Sequence, residues 1–358
     1  MKLFHIRHQI SFTGIVGCLL LCLCSGAPAK PLQVFNRQSK EEVFSLAFSP
    51  DGQMLAVGSS APSTNGLPEG TIELWSLKKG SLDNTLHQSA KTENSDQANR
   101  VSSISFSPDG KWVVGSDVVG YTLWELATGK EKFKWQSGII DPEKSVGWSG
   151  DSRVLVLPSM ENEPLGLMNG IAVIDVSTGK RTAFFPVVAY DRAARISPDG
   201  RLLATTGQDG IVRVFDLAAR TNIFSDNTQG TLYTACFSPN GRWLIGGSGF
   251  GGVLLIYEIT SSGGKVTINK LGNSLATELE LHQIEFTPDG KQAFANCYGA
   301  VALWDATSWT TPRQLPNCRG RLSPDGTQVA LVRDQSPDII ELWNLDELAK
   351  TMRQTVSR

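Results

Sequence analysis

Phe48-Ser49-Pro50-Asp51-Gly52 decides the fold, because the chain repeats this phrase, intact or degenerate, seven times. A second intact copy is Phe106-Ser107-Pro108-Asp109-Gly110, and close copies begin at Ile196, Phe237, Phe286 and Leu322. Trp148-Ser149-Gly150-Asp151 is the most degenerate. With Gly150 taken as the third position, successive copies lie 58, 42, 48, 41, 49 and 36 residues apart. Propeller repeats run about 40–45 residues, so each interval reads as one blade with loops of unequal length.

The phrase has a chemical logic. Ahead of it, Phe44, Leu46 and Phe48 alternate with Ser45 and Ala47, as in a strand. Proline presets the backbone for a turn, aspartate bonds its own backbone, and glycine accepts positive φ. A second strand follows, then a third ending in a large apolar residue, at 72–77, 121–126, 171–176, 211–217, 253–259, 301–306 and 339–345. Fourth strands are less regular, for example 130–135 and 181–186. Residues 32–35 precede the first full set, so they are expected as the outermost strand of the last blade, since a ring avoids exposed edges only by closing. The chain is therefore expected to be all-β, a seven-bladed propeller over 30–345, with a short tail at 346–358 that reads as a short helix or fraying end, Asn344 serving as its cap.

These repeats resemble the Trp-Asp (WD) repeat family. Trp75, Trp124, Trp304 and Trp343 stand at that family's tryptophan position, and Trp304-Asp305 is the dipeptide itself. Gln208-Asp209-Gly210 followed by 211–216 comes nearest its consensus. The family's Gly-His pair is missing from every blade. That departure leaves quinoprotein-like and other seven-bladed propellers open as relatives. The resemblance implies a non-catalytic protein-interaction scaffold. Lactonase-like and quinoprotein-like propellers supply the alternative, a small ligand or a reaction in the central channel.

The first 29 residues read as a signal peptide. Lys2 and Arg7 precede an apolar run from Ile15 to Leu23, and Ala27-Pro28-Ala29 offers small residues for cleavage. The run is shorter than the roughly 20 residues of a membrane span, and no second one follows. The expected product is exported, periplasmic or extracellular, with no membrane span in the mature chain. Its balance without the leader is −4, with no clustered basic surface for nucleic acid.

Few residues carry obvious chemistry. His87 and His282 are the only histidines beyond the leader and fall in different blades, so neither a catalytic triad nor a metal cluster has material. His282 reads as a packing or surface residue. Gly247-Ser248-Gly249-Phe250-Gly251-Gly252 has dinucleotide-loop spacing but precedes a strand rather than a helix, so it reads as a turn. No catalytic residue, metal or cofactor is expected. Cys297 and Cys318 are a candidate disulfide in an oxidising compartment, with Cys236 a buried free thiol.

Binding residues concentrate on loops held by a rigid scaffold. Two loops, 59–70 and 158–170, exceed hairpin needs and carry Leu67, Pro68, Met160, Leu165, Leu167 and Met168. These form the expected surface for an unidentified protein partner. The polar segment 89–100 reads as a flexible loop without a site. Just before each repeat's first residue stand Ala47, Ser105, Gly147, Arg195, Cys236, Glu285 and Arg321. Arg195, Glu285 and Arg321 are therefore expected to line the channel, with the last two facing each other.

Overall fold

The structure, a computed structural model, describes residues 29–61, 69–88, 100–117, 120–136, 146–163, 166–187, 191–228, 230–249, 252–271, 275–276 and 279–354. Seven antiparallel sheets form the blades, five of four strands and two with a short fifth strand. Blade one runs through Val43–Phe48, Met54–Ala61, Glu69–Ser76 and Ser81–Gln88, from the inner strand outward. The other inner strands are Ser103–Phe106, Gly147–Trp148, Asp191–Ile196, Leu232–Phe237, Leu281–Phe286 and Cys318–Leu322.

The repeated phrase builds one turn seven times. The Ser49 hydroxyl donates to Asp51 Oδ1, which also accepts the Gln53 N–H at 3.0 Å, while Ser49 Oγ accepts the Met54 N–H at 2.9 Å. The hydroxyl-to-side-chain bond recurs in every blade at 2.5–2.7 Å, with Thr287 replacing serine in blade six and Asn240 replacing aspartate in blade five. Gly52 sits at φ 67°, where glycine is unstrained; in the degenerate third copy Ser152 takes φ 62° instead.

Side chains from the two faces of each sheet meet those of the adjacent blades. The core is thus divided into seven wedges, one per blade interface. Trp124, for example, packs with Ala56, Leu74 and Ile104 between blades one and two.

The N-terminal strand Gln33–Asn36 pairs antiparallel with Ser336–Asn344, placing Phe35 opposite Ile340 and completing blade seven. The expected closure is therefore the observed one, displaced by a single residue. Phe35 also meets Trp75 of blade one edge-on, 6.1 Å between ring centres. Immediately after this strand, the fully buried Arg37 guanidinium grips Glu73 of blade one through Nε at 2.9 Å and Nη2 at 3.1 Å. It also donates to the Pro337 carbonyl of blade seven at 2.7 Å.

This network explains how blades hold their tryptophans without the Gly-His pair. The Trp75 indole donates to Glu73 at 2.9 Å and Trp343 to Glu341 at 2.8 Å, each carboxylate being held by an arginine, Arg37 or Arg333. Blade six has Ala302 at the corresponding place, and among the described residues the buried Trp304 indole N–H has no hydrogen-bond partner.

One expectation needs correction. The loop expected at 158–170 is strand in its described residues, Val154–Glu163 pairing with Gly166–Asp175 out to Glu163 opposite Gly166, and in blade one Met54–Ala61 pairs with Glu69–Ser76 out to Ala61 opposite Glu69, 62–68 lying outside the described residues. Continuing the ladder pairs backbone groups that a loop of that length leaves to water. After Asn344 the structure forms a short helix, one of the two outcomes expected for this tail. The helix Leu345–Thr351, capped by Asn344, buries Leu345, Leu348 and Ala349 against blades six and seven, and Arg353–Gln354 joins the edge of blade six.

Replacing Arg37 by alanine would strand the Glu73 carboxylate in the interior. We expect Arg37→Ala to lower the unfolding free energy by about 3–5 kcal/mol; a denaturant midpoint equal to wild type contradicts the closure role. The turns give a second expectation. In Asp51, Asp151 and Asp289 the hydroxyl two residues before, then the backbone N–H two residues after, hold the carboxyl below its usual range. A depressed folded value means that the stabilisation is full above the ordinary carboxyl range and is lost as pH falls through the lower folded values. The melting temperature should fall below about pH 4. Asp289→Asn should be well tolerated at pH 7, as Asn240 already shows in blade five, and should flatten this acid decline.

Candidate functional site

Four inner strands break register at the same place. Phe44 in blade one, Arg192 in blade four, Tyr233 in blade five and His282 in blade six are each an extra residue relative to the second strand. A β-bulge of this kind re-aims the side chain it carries. Arg192 lies 4.0 Å over the Tyr233 ring, Tyr233 lies 5.5 Å from His282, and His282 stacks on Tyr298 at 6.2 Å and 28°. Tyr298 belongs to the turn between second and third strands of blade six and is 74% exposed. Arg100 and Arg319 approach the Phe44 ring at 5.0 and 5.7 Å. Arg319 is oriented by the Val43 carbonyl at 2.9 Å and by Glu42 at 2.5 Å.

Phe44, Arg100, His282, Tyr298 and Arg319 line a cavity of about 770 Å³ at the end of the ring where the connections between blades and the second-to-third-strand turns gather, with Tyr233 and Arg192 stacked behind His282. Its walls come from blades six, seven, one and two, centred on the closure seam. Aromatic faces and guanidinium groups at a concave mouth are the side chains that carry most binding energy at protein interfaces.

Deeper in the channel lies a second cavity of about 230 Å³, which shares Ser103, Ile104 and Gln283 with the mouth. The structure brings Glu285 and Arg321 together, Arg321 Nε at 3.1 Å from one carboxylate oxygen while the other accepts the Leu322 N–H at 2.9 Å. Arg195 donates to the carbonyls of Val146 at 2.7 Å and Ala194 at 3.0 Å. Burial pushes its pKa down to about 10; the Arg321 charge adds to this, while Cys236 and Glu285 oppose it. It remains charged at neutral pH. Burial pushes the Cys236 thiol up to about 11, so it stays protonated and a poor nucleophile.

The apolar partner surface expected on blades one and three is not assembled as one patch. Leu67, Pro68 and Leu165 lie outside the described residues. Met160 and Met168 are half-buried, but Met160 stands opposite Asn169 and Met168 opposite Glu161, so strand alternation puts the two methionines on opposite faces of the hairpin. Leu167 stands opposite Asn162 in the same register. Of the segment read as siteless, residues 89–99 lie outside the described residues, whereas Arg100 lines the mouth. Cys297 and Cys318, the candidate bridge, are both buried free thiols whose pKa values burial pushes up, and Cys236 is half-buried and free. Among the described residues no three His, Cys, Asp or Glu side chains gather as metal ligands.

Sequence reasoning read Phe44 as an ordinary residue of an alternating strand, passed over Arg192 and Tyr233, and set His282 aside as a packing or surface residue. A signal was present. Each lies four residues before the first residue of its repeat phrase, and all four are aromatic or basic.

Comparison with known proteins agrees with this architecture. The family described as WD domain, G-beta repeat matches residues 29–76, 89–117 and 190–216. The small ribosomal subunit protein RACK1 of Schizosaccharomyces pombe is 28% identical over 129 residues, covering 36% of this chain and 41% of that protein. Protein HIR1 of Kluyveromyces lactis is 25% identical over 210 residues, 51% of this chain and 23% of HIR1. The matched stretches thus span less than half of either relative. Among solved structures, a chain of the mitotic checkpoint complex superposes with a TM-score of 0.68 at 14% identity, covering 96% of this chain and 99% of that one. A chain of Kuenenia stuttgartiensis hydrazine synthase gives 0.64 at 15% identity, covering 86% and 96%. At such identities the likeness shows the fold alone. Repeat, turn chemistry and ring closure together make this chain a seven-bladed β-propeller that carries WD-type repeats.

Proposed function

We propose that the chain is an exported, non-catalytic scaffold that binds a protein partner at the mouth of its channel. The observation that carries this is Phe44 flanked by Arg100 and Arg319 on a concave rim that also presents the exposed Tyr298. Tyrosine and arginine dominate interface hot spots because each offers a large flat surface together with polar hydrogen-bonding groups. The WD-repeat propeller is a fold commonly used for protein interaction, and the ribosomal-subunit name of one relative describes membership of an assembly. Export rests on the leader, residues 1–29, read from the sequence. A small-ligand role is the second reading, favoured by the deeper cavity around Arg195 and Arg321.

Two measurements test the proposal. Sequencing the N-terminus of the protein recovered from its native cell should return Lys30; a start at Met1 removes the export part. For the partner, pull-down from the native envelope and mass spectrometry should lose its specific protein in Tyr298→Ala combined with Arg100→Ala, each truncation weakening binding by about 1–2 kcal/mol. The melting temperature should hardly move, because the Tyr298 ring is mostly exposed. Undiminished recovery by this variant, with loss in Met168→Asp, would place the interface on the blade-three hairpin instead.

A further inference from the structure

Three segments at the mouth of the channel are tied into one row by backbone hydrogen bonds. Gly299, in the turn between second and third strands of blade six, accepts the Asn317 N–H at 2.7 Å. The Asn317 carbonyl in turn accepts the Asp334 N–H of the blade-seven turn at 3.0 Å. Tyr298, Asn317 and Asp334 are thereby brought next to one another on a fixed backbone. All three line the mouth cavity together with Asn296 and Gln283, which stand opposite each other in register on the first two strands of blade six.

The Tyr298 ring is exposed yet not loose. The residue's N–H donates to the Glu280 carbonyl at 2.9 Å, and the ring stacks on His282, which itself lies 5.5 Å from Tyr233. Such a ring offers a broad apolar face whose electron-rich surface attracts polarised C–H bonds. Beside it the polar side chains have capacity to spare. Among the described residues, no hydrogen bond uses the side chains of Gln283, Asn317 or Asp334, and Asn296 uses only Oδ1, for the Gly320 N–H at 3.3 Å. An amide presents donors and acceptors together, and a carboxylate accepts only. Arg319 is held by Glu42 and Arg333 by Glu341, so the arginines bordering the row supply little free charge for an anion.

We propose that the side of the mouth formed by blades six and seven is a binding site for a neutral oligosaccharide, one sugar ring stacked on Tyr298 and its hydroxyls hydrogen-bonded by Asn317, Asp334, Asn296 and Gln283. A pyranose combines the two features that this surface answers: an apolar face of C–H bonds and a rim of hydroxyls, each both donor and acceptor. Planar amide and carboxyl groups meet adjacent hydroxyls two at a time. The cavity volume of about 770 Å³ falls within the range of about 300–1,000 Å³ usual for ligand sites. Because the backbone row is already tied together, little ordering is left for binding to do. The site goes beyond the partner reading: the two share the mouth and Tyr298, but the sugar needs neither Arg100 nor Phe44.

Isothermal titration of the purified chain with cellotriose and, separately, with chitotriose tests this, with trigalacturonate as an acidic comparison. One saturable site per chain is expected for at least one of the neutral trisaccharides, with weaker binding of trigalacturonate. Tyr298→Ala should weaken binding about tenfold, whereas Tyr298→Phe, which keeps the ring, should bind as wild type does. Asn317 sits at φ 57°, a conformation that glycine adopts freely, so Asn317→Gly removes the amide without straining the chain and should weaken binding about fivefold. Both losses should come with an unchanged melting temperature, because both side chains belong to exposed residues. Absence of saturable binding of both neutral sugars overturns the proposal, and so does undiminished affinity in Tyr298→Ala or a preference for trigalacturonate. Arg100→Ala should bind the sugar as wild type does while weakening protein recovery, which separates failure here from failure of the partner reading.

Discussion

The Arg37–Glu73 pair is the interaction on which the ring depends. A propeller has no central core; its stability sits in the wedges between adjacent blades, and each wedge is bridged by continuous chain, that at the seam between blades seven and one through residues 37–42. The one non-covalent join lies inside blade seven, where Gln33–Asn36 pairs with Ser336–Asn344. Beside it Arg37 ties blade seven to Glu73 of blade one. A buried ion pair adds little over a well-fitted apolar contact, because desolvation offsets the attraction. Its value is geometric: five donors in a fixed plane reach a carboxylate of one blade and a carbonyl of the other. The mouth cavity straddles this seam, so the shape of the candidate interface is set where the ring is joined.

Away from the seam the fold is repetitive, and the departures from repetition are informative. The Ser-x-Asp turn is conserved in chemistry across all seven blades, even where Thr287 or Asn240 substitutes. Side chains around the channel are not conserved in this way. Ala47, Ser105 and Gly147 are small, whereas Arg195, Glu285 and Arg321 are long and charged, so one side of the channel is open and the other polar. Gly147 is small for a packing reason, since a Cβ there would meet the Ala194 carbonyl at 2.7 Å.

The legibility of the sequence follows the same division. Blade number, turn chemistry, the closing strand and the equivalence of Glu285 with Arg321 are written as periodicity, which a repeat protein cannot hide. The bulges at Phe44, Arg192, Tyr233 and His282 are not periodic in the strand sense, because an inserted residue displaces the alternation without changing composition. The hairpins of blades one and three resemble loops because serine, proline and asparagine punctuate them, yet their backbone groups are better satisfied by extending the ladder. Arg37 carries no local signal at all. Its partner is 36 residues away and its role exists only once the ring closes.

Closure and the channel are therefore thermodynamically linked. Arg195 and Arg321 are brought around one cavity only when blades four and seven stand in the same ring, with Trp148 of blade three beside them. The unfolded chain has no such cluster, so a ligand held there binds the closed ring alone and stabilises it by an amount that grows with the logarithm of ligand concentration over Kd. The polar arc of the channel lies on the one set of strands where all seven blades meet, and it exists only in the closed ring.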